Sequence, residues 1–272
     1  NNMNSEEIQD EHFILINADL SGIQNYIFNI PSKGAAKSLK GRSIYLTLLM
    51  ESICDLFIKK LNLERANILY NGGGNFFVLA PKCAQNKIID LRKEISKILF
   101  EFHEGLLNRS VGFTSIKICE FKDFKNVWKM ASESTAKQKQ HKLSAIWEET
   151  YEEMFTPKDL VQDEKFCSVC HSSQQVKEKR INDKGEIQKI CSMCDSLEYL
   201  TDSVFKAKCL EIYEKANSNS KDLTYENVLE KFGTKISFSN FDVKKTDQYA
   251  INQFGNDKTL KWKIGAYNLP IN

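Results

Sequence analysis

Short apolar runs separated by polar turns predict the elements of the first half of the chain. Brief continuous apolar runs have the length of buried strands, whereas apolar residues that recur every three or four positions indicate amphipathic helices. The predicted elements are, in order, a strand at Phe13–Ala18, helical segments at Ile23–Ile30 and Leu39–Leu61, strands at Ala66–Tyr70 and Phe76–Ala80, a helix at Ile88–Leu107 and a strand at Val111–Phe121. This βαββαβ order is typical of the split βαβ or ferredoxin-like unit, so we expect an α+β fold with helices covering one face of an antiparallel sheet.

The second half of the chain is more polar, and its pattern is less regular. A charged helix is expected from Asn126 to Met154, a linker from Pro157 to Lys165 and a further helix from Leu197 to about Ala216. Three short strand-like runs follow, at Lys235–Phe238, Gln248–Gln253 and Thr259–Tyr267.

The composition is that of an ordinary soluble globular protein. The chain has 272 residues, 42% of them hydrophobic, and its 38 Lys and Arg residues nearly balance its 36 Asp and Glu residues. A net charge of +2 argues neither for nor against a nucleic-acid partner, so any basic surface must be local. No apolar run reaches the roughly 18 residues that a membrane helix needs, and the polar amino terminus lacks an apolar signal core. We therefore expect a cytoplasmic protein without a membrane partner, and a first Met only at position 3 points to a fragment of a longer protein.

Four of the eight cysteines form two CxxC pairs with the spacing of a metal site. Cys167 and Cys170 are separated by twenty residues from Cys191 and Cys194, and Asp183–Gly185 is expected to turn the intervening hairpin. Each CxxC turn can present two thiolates to one cation, and four thiolates form the closed tetrahedral shell of structural zinc. Two disulfides are the alternative, which a reducing cytoplasm disfavours, and a thioredoxin-like role needs a single CxxC.

The end of the first predicted strand carries residues of the kind from which nucleotide sites are assembled. Asp19, Ser21 and Gly22 end the strand with groups that cap a helix or turn the backbone. A basic segment follows, with Lys37 and Arg42 among small residues. An acidic residue at a strand end, a helix amino terminus and a Lys/Arg segment together suit a phosphate ligand. The alternative is a helix entry followed by a solvated basic loop.

A glycine-rich turn joins the two middle strands. Gly72, Gly73 and Gly74, followed by Asn75, call for positive φ angles and predict a β-hairpin. Because glycine removes the side-chain obstacle, backbone amides of this turn can approach a phosphate or ribose closely, although a tight hairpin alone also explains the glycines. The basic run at residues 137–142 leaves a similar choice between a solvated helix face and phosphate contact.

Three motifs in this order resemble the large signature subunit of type III CRISPR effector complexes in its Csm-type form. They are ADLSGIQNYIF with SKGAAKSLKGRS, then ILYNGGGNFFVLAP, and then the paired CxxC motifs. The resemblance runs from about Phe13 to the end of the chain. It implies a first, GGDEF-like palm domain at residues 1–156, a zinc-ribbon region with its following helix at 157–215, and a segment at 216–272 leading toward a second palm. The HD nuclease domain and the GGDD motif of that family are not in this sequence.

The resemblance also implies how this palm works. A palm that transfers nucleotides needs carboxylates on its first strand and at its hairpin to hold two divalent cations. Here Ser21 stands where a second acid would follow Asp19, and Gly74 and Asn75 occupy the hairpin positions. We therefore expect a degenerate palm without catalytic residues, which binds ATP jointly with the second palm; that palm would hold Mg²⁺ or Mn²⁺ and make cyclic oligoadenylate when target RNA is bound. The expected nucleotide-binding residues are Asp19, Leu20, Ser21, Gly22, Lys37, Arg42, Gly72, Gly73, Gly74 and Asn75.

A scaffold is the second hypothesis. In it, the palm and the zinc ribbon dock neighbouring Csm subunits and the guide RNA, and the glycine hairpin only packs. This hypothesis rests on the basic segments Lys33–Arg42 and Lys137–Lys142, and steeply salt-dependent RNA binding would support it. Under both hypotheses the isolated chain is not expected to be active, and the resemblance implies that the parent subunit is a nucleotidyltransferase.

Overall fold

The computed structural model describes residues 10–28, 35–156, 166–180, 187–214, 220–241 and 248–251. The helices are α1 (Ile23–Phe28), α2 (Ala35–Leu61), α3 (Gln85–His103), α4 (Phe124–Lys139), α5 (Trp147–Phe155), α6 (Ser192–Lys206) and α7 (Tyr225–Lys231). The strands are β1 (Glu11–Ser21), β2 (Ile68–Gly72), β3 (Asn75–Pro81), β4 (Asn108–Lys117), β5 (Val176–Arg180), β6 (Ile187–Cys191), β7 (Cys209–Glu214), β8 (Thr234–Ser239) and β9 (Gln248–Ala250). Within these ranges, no helix combines the length and the apolar character that crossing a lipid bilayer requires.

Contacts divide the chain into two compact units. The first unit is formed by Asn1–Ile23 and Ile53–Thr156, and the second by Gln24–Ser52 and Pro157–Asn272. The contiguous division at residues 156 and 215 that the sequence indicates stays a prediction. The contacts group the chain differently because the first part of α2 packs within the second unit.

A four-stranded antiparallel sheet in the order β2-β3-β1-β4 forms the centre of the first unit. β3 lies between β1 and β2, the two strands that the first helical connection joins, which is the split βαβ arrangement. The predicted order of strand, helical connection, two strands, helix and strand is confirmed, and so is the α+β class.

Alternate residues of β1 pack against helices on opposite faces of this sheet. On one face Leu15 and Phe77 pack with Val127 of α4. On the other face the ring of Phe76 lies edge-on to Phe57 of α2, with 5.2 Å between centroids. Helices therefore cover both faces, and the expectation that they cover one is wrong.

The close approach of α4 to the sheet depends on a glycine in β4. A Cβ atom at Gly112 would lie 2.3 Å from the backbone nitrogen of Thr135, so only glycine fits there. Thr135 in turn donates a hydrogen bond of 3.0 Å from its hydroxyl to the carbonyl oxygen of Asn17 in β1. These contacts fix the end of α4 over the end of β1.

Several predicted elements of the first unit have bounds that differ from those of the structure. The helix predicted at Ile88–Leu107 covers Gln85–His103. The strand predicted at Val111–Phe121 begins earlier and gives way to a 3-10 helix at Ile118–Asp123. The helix predicted at Asn126–Met154 is two helices, α4 and α5, because turns interrupt it after Lys139.

In the second unit, the paired β5 and β6 lead into α6, and α7 accompanies a three-stranded sheet in the order β8-β7-β9. The first part of α2 packs on α6, since a Cβ at Gly41 would lie 2.2 Å from the carbonyl oxygen of Leu197. The hydroxyl of Thr201 also donates a 3.0 Å hydrogen bond to the carbonyl oxygen of Lys37.

The helix predicted from Leu197 to Ala216 is wrong in its second half. α6 ends at Lys206, and the following residues form β7, the central strand of the sheet. Ladder hydrogen bonds to two neighbouring strands, which a local pattern does not reveal, outweigh the helical spacing here. The predicted strand at Lys235–Phe238 is confirmed as β8, and the one at Gln248–Gln253 is confirmed in part as β9.

Some predicted features lie outside the described residues. They are the linker Pro157–Lys165, the turn at Asp183–Gly185, the strand-like run Thr259–Tyr267, and both Ile30 and Lys33 between the first two helices.

Candidate functional site

Asp19 lies near the end of β1 directly opposite Asn75, the first residue of β3. The side-chain nitrogen Nδ2 of Asn75 lies 3.5 Å from Asp19 Oδ1. The Oδ1 atom of Asn75 accepts a hydrogen bond of 2.6 Å from Asn17 Nδ2. The hydroxyl of Ser21 lies 3.5 Å from Asp19 Oδ2. This corner of the sheet therefore holds one carboxylate among amide and hydroxyl groups.

Two cationic side chains interact electrostatically with the Asp19 carboxylate. The ammonium of Lys139, at the end of α4, lies 2.6 Å from Asp19 Oδ2. Arg109 of β4 is buried, donates a 2.9 Å hydrogen bond to the carbonyl oxygen of Ala18, and lies 4.4 Å from the centroid of the Phe76 ring. Burial lowers the pKa of Arg109 to about 9, while the charge of Asp19 acts in the opposite direction, so the guanidinium stays charged at neutral pH.

The glycine hairpin closes the same corner. Gly73 and Gly74 have φ angles of +60° and +84°, which suit the two-residue turn between β2 and β3. The carbonyl oxygen of Gly74 accepts a hydrogen bond of 2.7 Å from the amide of Leu20, which ties the hairpin to β1. Gly73 is exposed at the tip, and a Cβ there would have no atom nearer than 4.0 Å. The predicted hairpin is confirmed, and its tip presents bare backbone.

The other glycines of the predicted site have packing roles. A Cβ at Gly22 would lie 1.9 Å from the carbonyl oxygen of Leu106, and one at Gly74 would lie 2.3 Å from Ile23 Cδ1. A Cβ at Gly72 would lie 3.2 Å from the hydroxyl of Tyr70. Of these glycines, Gly73 has the most open surroundings.

Lys37 and Arg42 lie in the second unit and interact there. Lys37 forms an ion pair of 2.7 Å with Asp202 of α6. Arg42 is buried, donates to the carbonyl oxygen of Tyr26 and has its Nη2 atom 3.7 Å from Cys194 Sγ. Their role in nucleotide binding stays a prediction, and in the structure both have protein partners.

The four cysteines of the two CxxC motifs come together in the second unit. The sulfur atoms of Cys167, Cys170, Cys191 and Cys194 all lie within 4.8 Å of one another. Tetrahedral zinc with Zn–S bonds of about 2.3 Å needs sulfurs about 3.8 Å apart, so a small local contraction would complete the shell. All eight cysteines of the chain are free thiols, which does not support the disulfide alternative.

The backbone of each CxxC turn is directed at its own sulfur. The backbone amide of Val169 donates a hydrogen bond of 3.4 Å to Cys167 Sγ, and the backbone amide of Cys194 donates one of 3.4 Å to Cys191 Sγ. The first turn is fixed to β6, because both the amide and the hydroxyl of Ser168 donate to the carbonyl oxygen of Lys189 over 2.9 Å. The donor set and its supporting hydrogen bonds thus fit a tetrahedral thiolate-binding metal ion.

The shifted pKa values of these thiols indicate that the four groups do not all ionise together unless a cation is bound. Hydrogen bonds with Cys167, Cys170 and Cys191, together with burial, raise the pKa of the Cys194 thiol, whereas hydrogen bonds from the other three lower the pKa of Cys167. Four negative charges at such short separations are not stable by themselves, and a bound divalent cation would allow all four thiols to ionise.

Sequence reasoning did not assign Lys139, Arg109 or Asn17 to the Asp19 corner. Asn17 carried a signal, since it is a polar residue inside an otherwise apolar strand. Lys139 belongs to the basic run at residues 137–142, whose sequence suits either a solvated helix face or phosphate contact. Arg109 gave no signal, because its position depends on the register between β1 and β4.

The family described as Csm1 subunit domain B matches residues 12–159, more than half of the chain. The chain belongs to the Csm1 family. The resemblance drawn from the sequence motifs is thereby confirmed, and the matched range of this Csm1 chain contains the Asp19 corner and the glycine hairpin.

Curated Csm1 relatives share about a third of their residues with the chain over the matched region. A relative from Methanocaldococcus jannaschii is 34% identical over 207 residues, which cover 71% of this chain and 25% of the relative. One from Streptococcus thermophilus is 32% identical over 198 residues, covering 70% and 25%. Both are described as single-strand-specific deoxyribonucleases Cas10/Csm1 of subtype III-A. The chain spans about a quarter of their length.

Solved Csm1 structures have the same fold. A Csm1–Csm4 cassette in complex with one ATP aligns with a TM-score of 0.60 at 19% identity, over 88% of this chain and 27% of that chain. A Csm1–Csm4 cassette in complex with cA3 aligns with a TM-score of 0.58 at 18% identity, over the same shares. At these identities the likeness establishes the fold alone.

Proposed function

We propose that this chain is the first-palm and zinc-ribbon part of a type III-A large subunit, and that its palm holds ATP without transferring it. The observation that carries the proposal is the pairing of a single carboxylate, Asp19, with the amide of Asn75. A two-metal palm needs acids on both strands at this place. One carboxylate already balanced by Lys139 does not hold two divalent cations, so what this half contributes is binding and orientation.

The glycine hairpin supplies the binding surface in this proposal. The exposed backbone at Gly73 can approach a phosphate or ribose without a side-chain obstacle, and it lies one residue from the turn glycine that is tied to Leu20. Structures of related Csm1–Csm4 cassettes with one ATP and with cA3 support a nucleotide as the class of ligand.

The remaining chemistry belongs to the parent subunit. There, a second palm with Mg²⁺ or Mn²⁺ shares ATP with this one and makes cyclic oligoadenylate, and guide and target RNA are the partners. The four cysteines hold structural zinc, because a closed four-thiolate shell leaves no open position for a reacting ligand.

Titration with ATP and Mg²⁺ tests the proposal. The chain is expected to bind ATP weakly and without turnover, and Gly73→Val should weaken binding because the new side chain covers the backbone at the tip. Gly105→Val is the matched control, since Gly105 also has a positive φ of +84° and open surroundings. Metal-dependent turnover by the chain alone, or equal ATP affinity of the two variants, would refute the proposal.

Docking of a neighbouring Csm subunit is a second candidate function, favoured by one feature of α5. Trp147, Tyr151 and Phe155 are 45%, 51% and 57% exposed, and their ring centroids lie between 4.9 and 5.5 Å apart. Exposed aromatic clusters are typical of protein interfaces. If Tyr151→Ala prevents co-purification with Csm4 while a Gly73→Val subunit still makes oligoadenylate, docking is the main function of this part of the subunit.

A further inference from the structure

We propose that Lys139 is the fixed cation of the Asp19 corner, where its ammonium takes the place of a divalent metal and binds nucleotide phosphate directly. ATP binding by this half then needs Lys139 and does not need Mg²⁺. The inference rests on the proposed nucleotide-binding function and names the group that carries it.

The position of Lys139 is built into the fold. Lys139 is the last residue of α4, and its Nζ atom lies 2.6 Å from Asp19 Oδ2. One turn earlier, Thr135 is fixed to Asn17 by a 3.0 Å hydrogen bond, and the absence of a side chain at Gly112 allows that approach. The helix end and the strand end are therefore in contact at two points, and the lysine side chain has only a short distance to bridge.

Charge balance favours a monovalent cation at this place. Of the two residues that face each other at this end of β1 and β3, Asp19 has a carboxylate and Asn75 has a neutral amide. The charged guanidinium of Arg109 already interacts with Asp19 from within the first unit. Arg109 already neutralises Asp19, so a divalent cation would raise the net charge of this corner to +2, whereas the lysine ammonium raises it only to +1.

The ammonium also remains accessible to a ligand. The side chain of Lys139 is 42% exposed and that of Asp19 is 20% exposed. An ammonium has three N–H donors, of which one is directed at Asp19, so the others can reach phosphate oxygens on the solvent side. Asn75 lies next to the tip of the hairpin, so a nucleotide at the bare backbone of Gly73 would lie at the same edge of the sheet.

Lys129→Met provides a matched control for Lys139→Met. Lys129 is also on α4, is exposed, and forms an ion pair with Glu133 at 3.8 Å. Both substitutions remove one charge and one ion pair from the same helix. Lys139→Arg is a second variant that keeps the charge at the site and guards against a purely structural effect.

The experiment is a titration of the chain with ATP, first in EDTA and then with Mg²⁺. In EDTA, Lys139→Met is expected to weaken ATP binding about tenfold or more, the usual effect of removing a charged hydrogen bond, while Lys129→Met binds as the wild type does and Lys139→Arg retains most of the affinity. Added Mg²⁺ should restore part of the affinity of Lys139→Met, because a divalent ion can then take the ammonium's place at Asp19.

Equal ATP affinity of Lys139→Met and Lys129→Met in EDTA would overturn the inference, as would wild-type binding that appears only with Mg²⁺. If Gly73→Val weakens binding and Lys139→Met does not, only this inference fails. If the wild-type chain binds no ATP in either buffer, the proposed function fails and this inference fails with it.

Discussion

His103 makes the stability of the first unit depend on pH in a way that can be calculated. It lies in the last turn of α3 and is only 4% exposed. Burial lowers the pKa of its imidazole to about 3, because the charged form loses its hydration. In the unfolded chain the pKa of the same imidazole is about 6.5.

The sign and the size of the effect follow from this difference. As the pH falls below the unfolded pKa, the unfolded chain takes up a proton that the folded protein does not accept, so stability decreases. The loss approaches about 1.4 kcal/mol per pH unit and continues until the pH reaches the folded pKa of about 3. Between pH 7 and pH 5, His103 alone is expected to lower the free energy of unfolding by about 2 kcal/mol.

Urea unfolding at several pH values measures this contribution. Tryptophan fluorescence suits the first unit, which contains Trp128 and Trp147. His103→Gln should flatten the pH dependence by about 2 kcal/mol over this range, even if the variant is less stable at every pH. His141→Gln removes an exposed histidine instead and should follow the wild type. If both variants keep the wild-type slope, the argument from burial is refuted.

Two further predictions concern the four-cysteine cluster of the second unit and the sheet of the first unit. Cys194→Ser is expected to abolish the binding of one zinc ion per chain and to lower the thermal stability of the second unit, as a chelator should do to the wild type. The control variant Cys209→Ser, which changes a buried thiol outside the cluster, should keep its zinc. Metal analysis together with calorimetry checks this, and an unchanged zinc content in Cys194→Ser would contradict it. Gly112→Ala should destabilise the first unit by roughly 1–3 kcal/mol, because its Cβ would collide with the backbone of α4 at Thr135. Urea unfolding measures that loss, and a stability equal to the wild type would show that α4 can move away without cost.

Features set by local spacing could be predicted from the sequence. The four clustered cysteines follow from two short CxxC turns, and the hairpin follows from glycines that tolerate positive φ between two apolar runs. The first strand was equally clear, because a buried strand needs only a short apolar run that ends in polar residues.

Features set by contacts between distant segments could not be predicted. Lys139 reaches Asp19 across 120 positions of the chain, and that contact depends on the path of α4 over the sheet. The strand β7 was assigned to a helix because its neighbours β8 and β9 come later in the sequence and decide its conformation. Arg42 is of a residue type that commonly binds phosphate, yet the sequence does not show that it is buried beside Tyr26 and Cys194.

The division of the second unit into two separate stretches of sequence affects how the protein forms during synthesis. The face of α2 around Gly41 is made early, whereas its partner at Leu197 of α6 follows about 150 residues later. At about 5–20 residues per second, a ribosome needs roughly 8–30 s to produce that partner. During this interval the first part of α2 has no α6 to cover it, so a nascent chain stalled before α6 should be a preferred substrate for chaperones.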